Sequence, residues 1–392
     1  MEKKIRLAIG IQNFTRRRGG AERYLCDLCS RMADDGFDIH VYAERWQEED
    51  PRLHFHRVKT IPFSRSLRLL SFAVRATRAI RDENYDLSFG VGNTLEADIL
   101  QPHGGVHWAW FWRSLRAYAS FPARVIKCLG RILNPKQWVN GWIEDSPYRR
   151  ERCLTFVAIS DMVKRDMTQW YPFSEDRVRV VYNGVDLDRF HPGNRRYREE
   201  IRKRHGIGEA VVLLFVSNNF RMKGLDHLIK AVARLKPKTP YPIKVLILGR
   251  DRQEPYRRLA GRVGLAGEVL FVGSTDEPEK YYGAADLLVH PSFYDACSLT
   301  VLEAFASGLP VITSSCNGAS GMMQQGREGF ILSDPGDEKD LEEKISLLLD
   351  PGLREQASLA ARALAEDHST ERNWREMKAV LEKGIAARKA SA

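Results

Sequence analysis

A chain of 392 residues with an ordinary apolar share has room for two domains, each with its own core. Its formal charge of +10 calls for an anionic partner, and six scattered cysteines exclude a disulfide-stapled secreted scaffold. No signal-peptide pattern precedes the first apolar run and no run is long enough to span a bilayer, so a cytoplasmic protein is expected.

Residues 7–11 form an apolar strand, and the basic loop Arg16-Arg17-Arg18-Gly19-Gly20 follows it. Residues 21–35 carry helical periodicity, ended by Gly36, and residues 38–42 are the second strand. The unit is of the doubly wound type. Gly19 and Gly20 either make a tight turn or let the backbone approach an anion or a sugar. Cys26 and Cys29 are spaced C-x-x-C, but they share a helix with the apolar Leu25, Leu28 and Met32, and no second pair stands at zinc spacing. Val58 and Ile61 fall in a short strand region, and residues 67–81 read as a basic helix. Residues 86–90 and 99–101 are strands, the second running into Pro102-His103-Gly104-Gly105. A histidine just past a buried strand stands where α/β sheets hold ligands, although a structural role fits it equally.

Residues 107–152 differ in composition. They hold Trp108, Trp110, Trp112, Trp138 and Trp142, five of the eight tryptophans. They also hold Arg113, Arg116, Arg124, Lys127, Arg131, Lys136, Arg149, Arg150 and Arg152, against only Glu144, Asp145 and Glu151. Tryptophan favours the lipid–water interface and basic side chains favour anionic headgroups. The coincidence makes Trp108, Trp110, Trp112, Arg113, Arg116, Arg124, Lys127 and Arg131 candidates for contact with an anionic membrane surface. The competing reading is a helical insertion whose tryptophans pack internally. Single-stranded nucleic acid also takes aromatic-basic mixtures, but no known nucleic-acid motif is present, so no nucleic-acid partner is expected.

A strand at residues 156–160, a helix at 161–170 and a strand at 178–181 end this half. The domain boundary is placed near Leu187, with a polar linker from Phe190. Strand–helix alternation then restarts at residue 211 and continues to a terminal helix at 370–388. Two parallel-sheet domains follow, residues 1–187 and 188–369, with 370–392 packing back on the first. The second domain is organised around the stretch from His290 to Pro310. A buried strand leads in, a helix spans about residues 298–307, and Gly308-Leu309-Pro310 ends it before another strand. The start of that helix suits a phosphate. Asp295 before it and Glu303 within it are two carboxylates beside an anion site. That pairing is sensible only if they grip neutral hydroxyls, as in a nucleotide sugar.

Gly19-Gly20-Ala21-Glu22-Arg23, Tyr182-Asn183-Gly184-Val185-Asp186 with Phe190 and Pro192, Lys223-Gly224, Asp295 with Glu303-Ala304, and Gly308-Leu309-Pro310-Val311-Ile312 resemble, in order and spacing, glycosyltransferase family 4. Those are retaining enzymes of GT-B fold, two Rossmann-like doubly wound parallel-sheet domains facing a cleft. Within the family the likeness is strongest to the lipopolysaccharide-core heptosyl glucosyltransferases, which also carry a basic membrane-contacting segment. The resemblance implies that Lys223, with Arg221 near it, pairs with the donor diphosphate. It implies that backbone N–H groups of Ser298, Leu299 and Thr300 hold the β-phosphate, and that Gly19 and Gly20 close over phosphate and acceptor. Glu303 would take the ribose hydroxyls, Asp295 those of the transferred sugar, and His103 would contact that sugar. No metal and no cofactor are implied, since lysine, arginine and a helix dipole neutralise the leaving group. Three positions depart from the family pattern: Asp295 replaces its first glutamate, Ser298 its glycine, and Met222 a basic residue.

The expected function is transfer of a hexose, glucose from UDP-glucose in the first instance, to a lipid-linked glycan such as lipopolysaccharide inner core. The enzyme would be peripheral on the inner face of the cytoplasmic membrane. A nucleotide-sugar epimerase of the same architecture and a non-catalytic nucleotide-sugar-binding scaffold are the alternatives.

Overall fold

The apolar runs of the sequence become parallel strands, because such strands are covered on both faces and show no side to water. The computed structural model of the protein describes residues 4–16, 19–47, 50–118, 120–149 and 153–391. Residues 1–3, Arg17, Arg18, Arg150, Glu151 and Arg152, which enter the expectations above, lie outside the described residues. The chain divides into two compact units, one of Met1–Trp112, Phe121–Tyr182 and Asn373–Ala392, the other of Arg113–Ser120 and Asn183–Arg372.

The strands of the first unit are β1 (Arg6–Gly10), β2 (Asn13–Phe14), β3 (Asp38–Ala43), β4 (Arg45–Trp46), β5 (Leu53–Arg57), β6 (Leu87–Gly90), β7 (Ile99–Leu100), β8 (Thr155–Ala158) and β9 (Val178–Val180). Its helices begin with α1 (Gly20–Asp34), α2 (Arg65–Asp82), α3 (His107–Arg113), α4 (Phe121–Ile132), α5 (Pro135–Arg149) and α6 (Asp161–Trp170). Seven strands form one sheet in the order β5-β3-β1-β6-β7-β8-β9, with parallel pairings throughout. β2 and β4 pair separately. Serine side chains start two of the helices: Ser64 accepts the N–H of Leu67 and Ser160 that of Val163. Leu7, Ile9, Ile39, Val41 and Phe89 of the sheet pack on Leu25, Leu28 and Met32 of α1. Cys26 and Cys29 lie in that same core, as members of the buried helix face.

The second unit contains α7 (Arg198–Arg204), β10 (Val211–Val216), α8 (Leu225–Leu235), β11 (Ile243–Leu248), α9 (Glu254–Arg262), β12 (Val269–Gly273) and α10 (Pro278–Ala284). It continues with β13 (Leu287–His290), α11 (Leu299–Ala306), β14 (Val311–Ser314), β15 (Gly329–Leu332), α12 (Glu338–Leu349) and α13 (Pro351–Glu366). Its six-stranded parallel sheet runs β12-β11-β10-β13-β14-β15. The order reverses between β10 and β13, and a doubly wound sheet opens a crevice at the strand C-termini at that place. The last helix, α14 (Thr370–Ser391), places Trp374, Met377, Leu381 and Ile385 in the core of the first unit.

Two elements differ from the sequence reading. The strand placed near Val58 and Ile61 is β5, five residues earlier. It is an edge strand whose His54, His56 and Arg57 break the apolar run, so hydrophobicity points past it. The polar stretch after Phe190 is a 3-10 turn, Pro192–Tyr197, followed by α7.

Candidate active site

Both loops at the β10/β13 reversal carry a residue singled out from the sequence. The loop after β10 is held rigidly. Phe220 is fully buried against Phe215, Tyr256 and Phe271, and its N–H donates to Asp251 Oδ2 at 2.7 Å. Asn219 Oδ1 accepts the N–H of Met222 at 3.2 Å. Gly224 then turns the chain into α8 with φ +73, and a Cβ there would stand 2.4 Å from the Pro291 carbonyl oxygen. Only glycine meets both conditions. The result is Lys223 directed at the loop after β13.

That second loop is equally fixed. The N–H of Phe293 donates to the Met222 carbonyl at 2.9 Å, that of Asp295 to the Cys316 carbonyl at 3.0 Å, and that of Gly318 to the Asp295 carbonyl at 2.8 Å. Lys223 Nζ lies 2.6 Å from Asp295 Oδ2 and 2.8 Å from the Tyr294 carbonyl oxygen. Burial works against a charge on Asp295, yet the Lys223 ammonium beside it holds the carboxyl below its usual range. Burial, reinforced by the Lys223 charge, brings His290 down to about 3, so the ring is neutral at physiological pH. His290 Nδ1 is buried without a hydrogen-bond partner.

Ser298 caps α11 with its backbone, not its side chain. Its N–H is engaged by Asn317 Oδ1 at 3.3 Å, which leaves the N–H groups of Leu299 and Thr300 as first-turn donors with no intrahelical acceptor. Glu303, one turn on, is positioned by α10. The Tyr282 hydroxyl lies 2.9 Å from Glu303 Oε2 and 3.2 Å from the Thr300 carbonyl oxygen. Tyr282 is fully buried, edge-on to Phe190. Arg221 is exposed, with its guanidinium 4.8 Å above the Tyr118 ring. The second unit therefore gathers Lys223, Asp295, Ser298, Leu299, Thr300 and Glu303 at one end of its sheet. His290, Tyr282 and Asn317 complete the group. They carry no local sequence signal, because each acts through a partner distant in the chain.

In the first unit, Gly19 is extended (φ −170) and Gly20 opens α1. His103 follows β7 and is buried against the Tyr24 ring of α1, with centroids 4.2 Å apart. Its Nε2 lies 3.2 Å from Gln101 Oε1, and burial lowers its pKa to about 3. A ring that stays neutral positions a hydroxyl by hydrogen bonding and does not carry a proton charge.

The aromatic-basic segment sorts into two classes. Arg131 is buried, donates to the Phe111 carbonyl oxygen at 2.7 Å and lies over the Trp110 ring, so it cannot meet a headgroup as expected from sequence. Trp108 is half-buried and packs on Trp138, Phe111 and the bare backbone of Gly141. Arg116 pairs with Asp334 at 3.0 Å and Arg113 lies over Tyr294. Arg113 and Arg116 thus have partners within the chain. By contrast α4 is uncovered: Phe121 and Ile126 are 76 % and 71 % exposed, as is Leu133 just after it at 79 %, beside the exposed Arg124 and Lys127, and Trp112 is exposed as well. Among the described residues no helix is long and apolar enough to cross a membrane.

The family model described as glycosyl transferases group 1 matches residues 197–364, and that of glycosyltransferase family 4 matches residues 18–189. The lipopolysaccharide glucosyltransferase WaaG of Escherichia coli K12 is 22% identical over 336 residues, 83% of this chain and 85% of the relative. D-inositol 3-phosphate glycosyltransferase 2 of Catenulispora acidiphila is 34% identical over 197 residues, 46% of this chain and 45% of the relative. The crystal structure of WaaG superposes with a TM-score of 0.77 at 20% identity, covering 95% of this chain and 98% of that one. The structure of Anabaena HepE in complex with UDP-glucose does so with 0.71 at 16% identity, covering 97% and 100%. With two doubly wound parallel sheets and both family models matched along its length, the chain belongs to glycosyltransferase family 4 and is a glycosyltransferase of GT-B fold.

Proposed function

We propose that the protein transfers a hexose, glucose from UDP-glucose in the first instance, to a lipid-linked glycan such as lipopolysaccharide inner core, with retention of configuration. The observation that carries the reading is the Lys223–Asp295 contact of 2.6 Å at the sheet reversal, beside the start of α11. A lysine and a helix N-terminus there neutralise the diphosphate as it leaves, and a carboxylate beside them takes hydroxyls of the sugar. Glu303, steadied by Tyr282, takes the ribose hydroxyls. The leaving phosphate oxygen accepts the acceptor's proton on the same face, so no protein nucleophile and no metal is needed. Asp295 is one methylene shorter than the family's glutamate, and its contact with Lys223 couples sugar recognition to diphosphate binding.

The names of relatives point the same way: WaaG is a lipopolysaccharide glucosyltransferase, and HepE was crystallised with UDP-glucose. For the acceptor's setting, the exposed apolar face of α4 with Arg124 and Lys127 supports a peripheral position on an anionic leaflet, the inner face of the cytoplasmic membrane. Purified protein offered a panel of nucleotide sugars and core-oligosaccharide or sugar-phosphate acceptors should consume UDP-glucose and give an α-linked product by NMR, with chelator present. Preference for another donor, or an inverted product, would replace this reading.

A further inference from the structure

The first unit carries a second cluster of chemistry-bearing side chains, on one face of its sheet. β3 and β5 pair in parallel with His40 beside His54 and Tyr42 beside His56. Side chains alternate along a strand, so Asp38, His40 and Tyr42 share that face with His54 and His56. Asp38 Oδ2 lies 3.3 Å from His40 Nε2, and Asp38 Oδ1 lies 3.1 Å from His54 Nε2. One ligand atom from each of the three falls within 4.8 Å of the others. Four-coordinate zinc binds nitrogen and oxygen at about 2.0–2.1 Å, which sets neighbouring ligand atoms roughly 3.4 Å apart. Each of the two histidine nitrogens thus stands at about that spacing from a carboxylate oxygen of Asp38, one from each oxygen.

The surroundings fit a ligand role as well. His40 is buried, and its other ring nitrogen, Nδ1, is 2.8 Å from His56 Nε2. If Nδ1 donates to His56, the Nε2 lone pair is turned toward Asp38 and His54, the second-layer arrangement that orients metal-bound histidines. His56 is itself stacked on Tyr42, with centroids 4.6 Å apart, and His40 packs on Tyr85. His54 is exposed, so the cluster is open to solvent on one side. Arg6 opposes a cation, with Nε 3.8 Å from Asp38 Oδ2, but its guanidinium also donates to the Asn84 carbonyl at 3.1 Å and has Glu83 within 4.0 Å.

We propose that Asp38, His40 and His54 form a site for one divalent transition-metal ion of the zinc or cobalt type, with water as fourth ligand. Two imidazoles and a carboxylate are a donor set that such ions take in preference to magnesium or calcium. Asp38 opens β3 and His54 stands near the start of β5, whereas Gly19 and His103 follow strand C-termini. The ion therefore lies at the other end of this sheet from those residues and pins the edge strand β5 to β3, independently of the transfer reaction.

The test uses untagged, chelator-treated full-length protein titrated with cobalt(II) and then zinc(II). One equivalent of cobalt should bind with visible bands of tetrahedral intensity and no thiolate charge-transfer band, and zinc should displace it and raise the melting temperature. Losing even an outer partner of a metal ligand costs about 10–100-fold in affinity, so His54→Ala and Asp38→Asn should each weaken binding at least about 100-fold. His54 is exposed and Asp38→Asn is isosteric, so both variants should fold, as circular dichroism would check. No binding at about 100 μM free metal, binding unchanged in both variants, or a thiolate band that moves the ion to a cysteine would each overturn the proposal.

Discussion

Lys223 and Asp295, 72 residues apart in the chain, meet at 2.6 Å between Nζ and Oδ2, with side chains only 16% and 21% exposed. An ion pair this enclosed is strongly sensitive to loss of one partner, because the remaining charge is left in poor solvent. Lys223→Ala should reduce kcat/KM at least about 100-fold, the scale on which removal of one preorganised charge-stabilising donor acts. Steady-state transfer assays would check it, and near-wild-type turnover would remove Lys223 from the site.

Tyr282 should matter to donor binding through Glu303. Tyr282→Phe keeps the ring against Phe190 and removes one hydrogen bond to a carboxylate. A bond of that kind contributes about 1.5–3 kcal/mol, a roughly 10- to 150-fold rise in donor KM. With kcat little changed, the split between KM and kcat would assign Tyr282 to positioning. An equal fall in kcat would place it elsewhere in the mechanism.

Two glycines in the same left-handed region should respond differently. Gly224 (φ +73) has Pro291 oxygen 2.4 Å from a Cβ position, whereas Gly206 (φ +60) has nothing within 4 Å. Gly206→Ala should cost about 1 kcal/mol of stability, and Gly224→Ala about 2–3 kcal/mol, since the loop must also shift. Urea denaturation measures both, and Gly224→Ala should also lower activity by displacing Lys223.

Glu144 should tie stability to pH. Burial pushes its carboxyl from 4.5 up to about 7, although it accepts the His107 N–H at 2.8 Å and the Tyr171 hydroxyl at 2.8 Å. The folded state thus favours the protonated acid. Its contribution is full below about 4.5, declines as pH rises and is lost above about 7, a difference on the order of 3 kcal/mol. Glu144→Gln should therefore gain on the wild type between pH 5 and pH 8 in parallel denaturations. Parallel curves would show that Glu144 does not titrate in this range.

The uncovered face of α4, with Leu133 just after it, gives a membrane prediction. Ile126→Asp with Leu133→Asp should leave the melting temperature unchanged, because both side chains are already in solvent. Sedimentation with anionic vesicles should fall at least about tenfold, and wild-type binding should fade with salt and be weak on neutral vesicles. Equal sedimentation of the variant would exclude α4 as the contact.

The sequence by itself determined the two-fold repetition of strands and helices. Parallel strands buried on both faces are written as apolar runs, and runs such as those of β10, β11 and β13 are read locally. It also marked Lys223, Asp295 and Glu303, because motif spacing is local too. The edge strand β5 escaped, since His54 and His56 on one face and Arg57 at its end break up its apolar residues. Tertiary structure alone decided that Lys223 reaches Asp295, for that contact depends on β10 and β13 being sheet neighbours with the loops on either side of the reversal. It alone buried Arg131 under Trp110 while leaving α4 uncovered, and it alone set Asp38, His40 and His54 side by side through the register of two strands. Composition and periodicity report what each segment is, whereas contacts between distant segments follow from strand order and register, which no local pattern encodes.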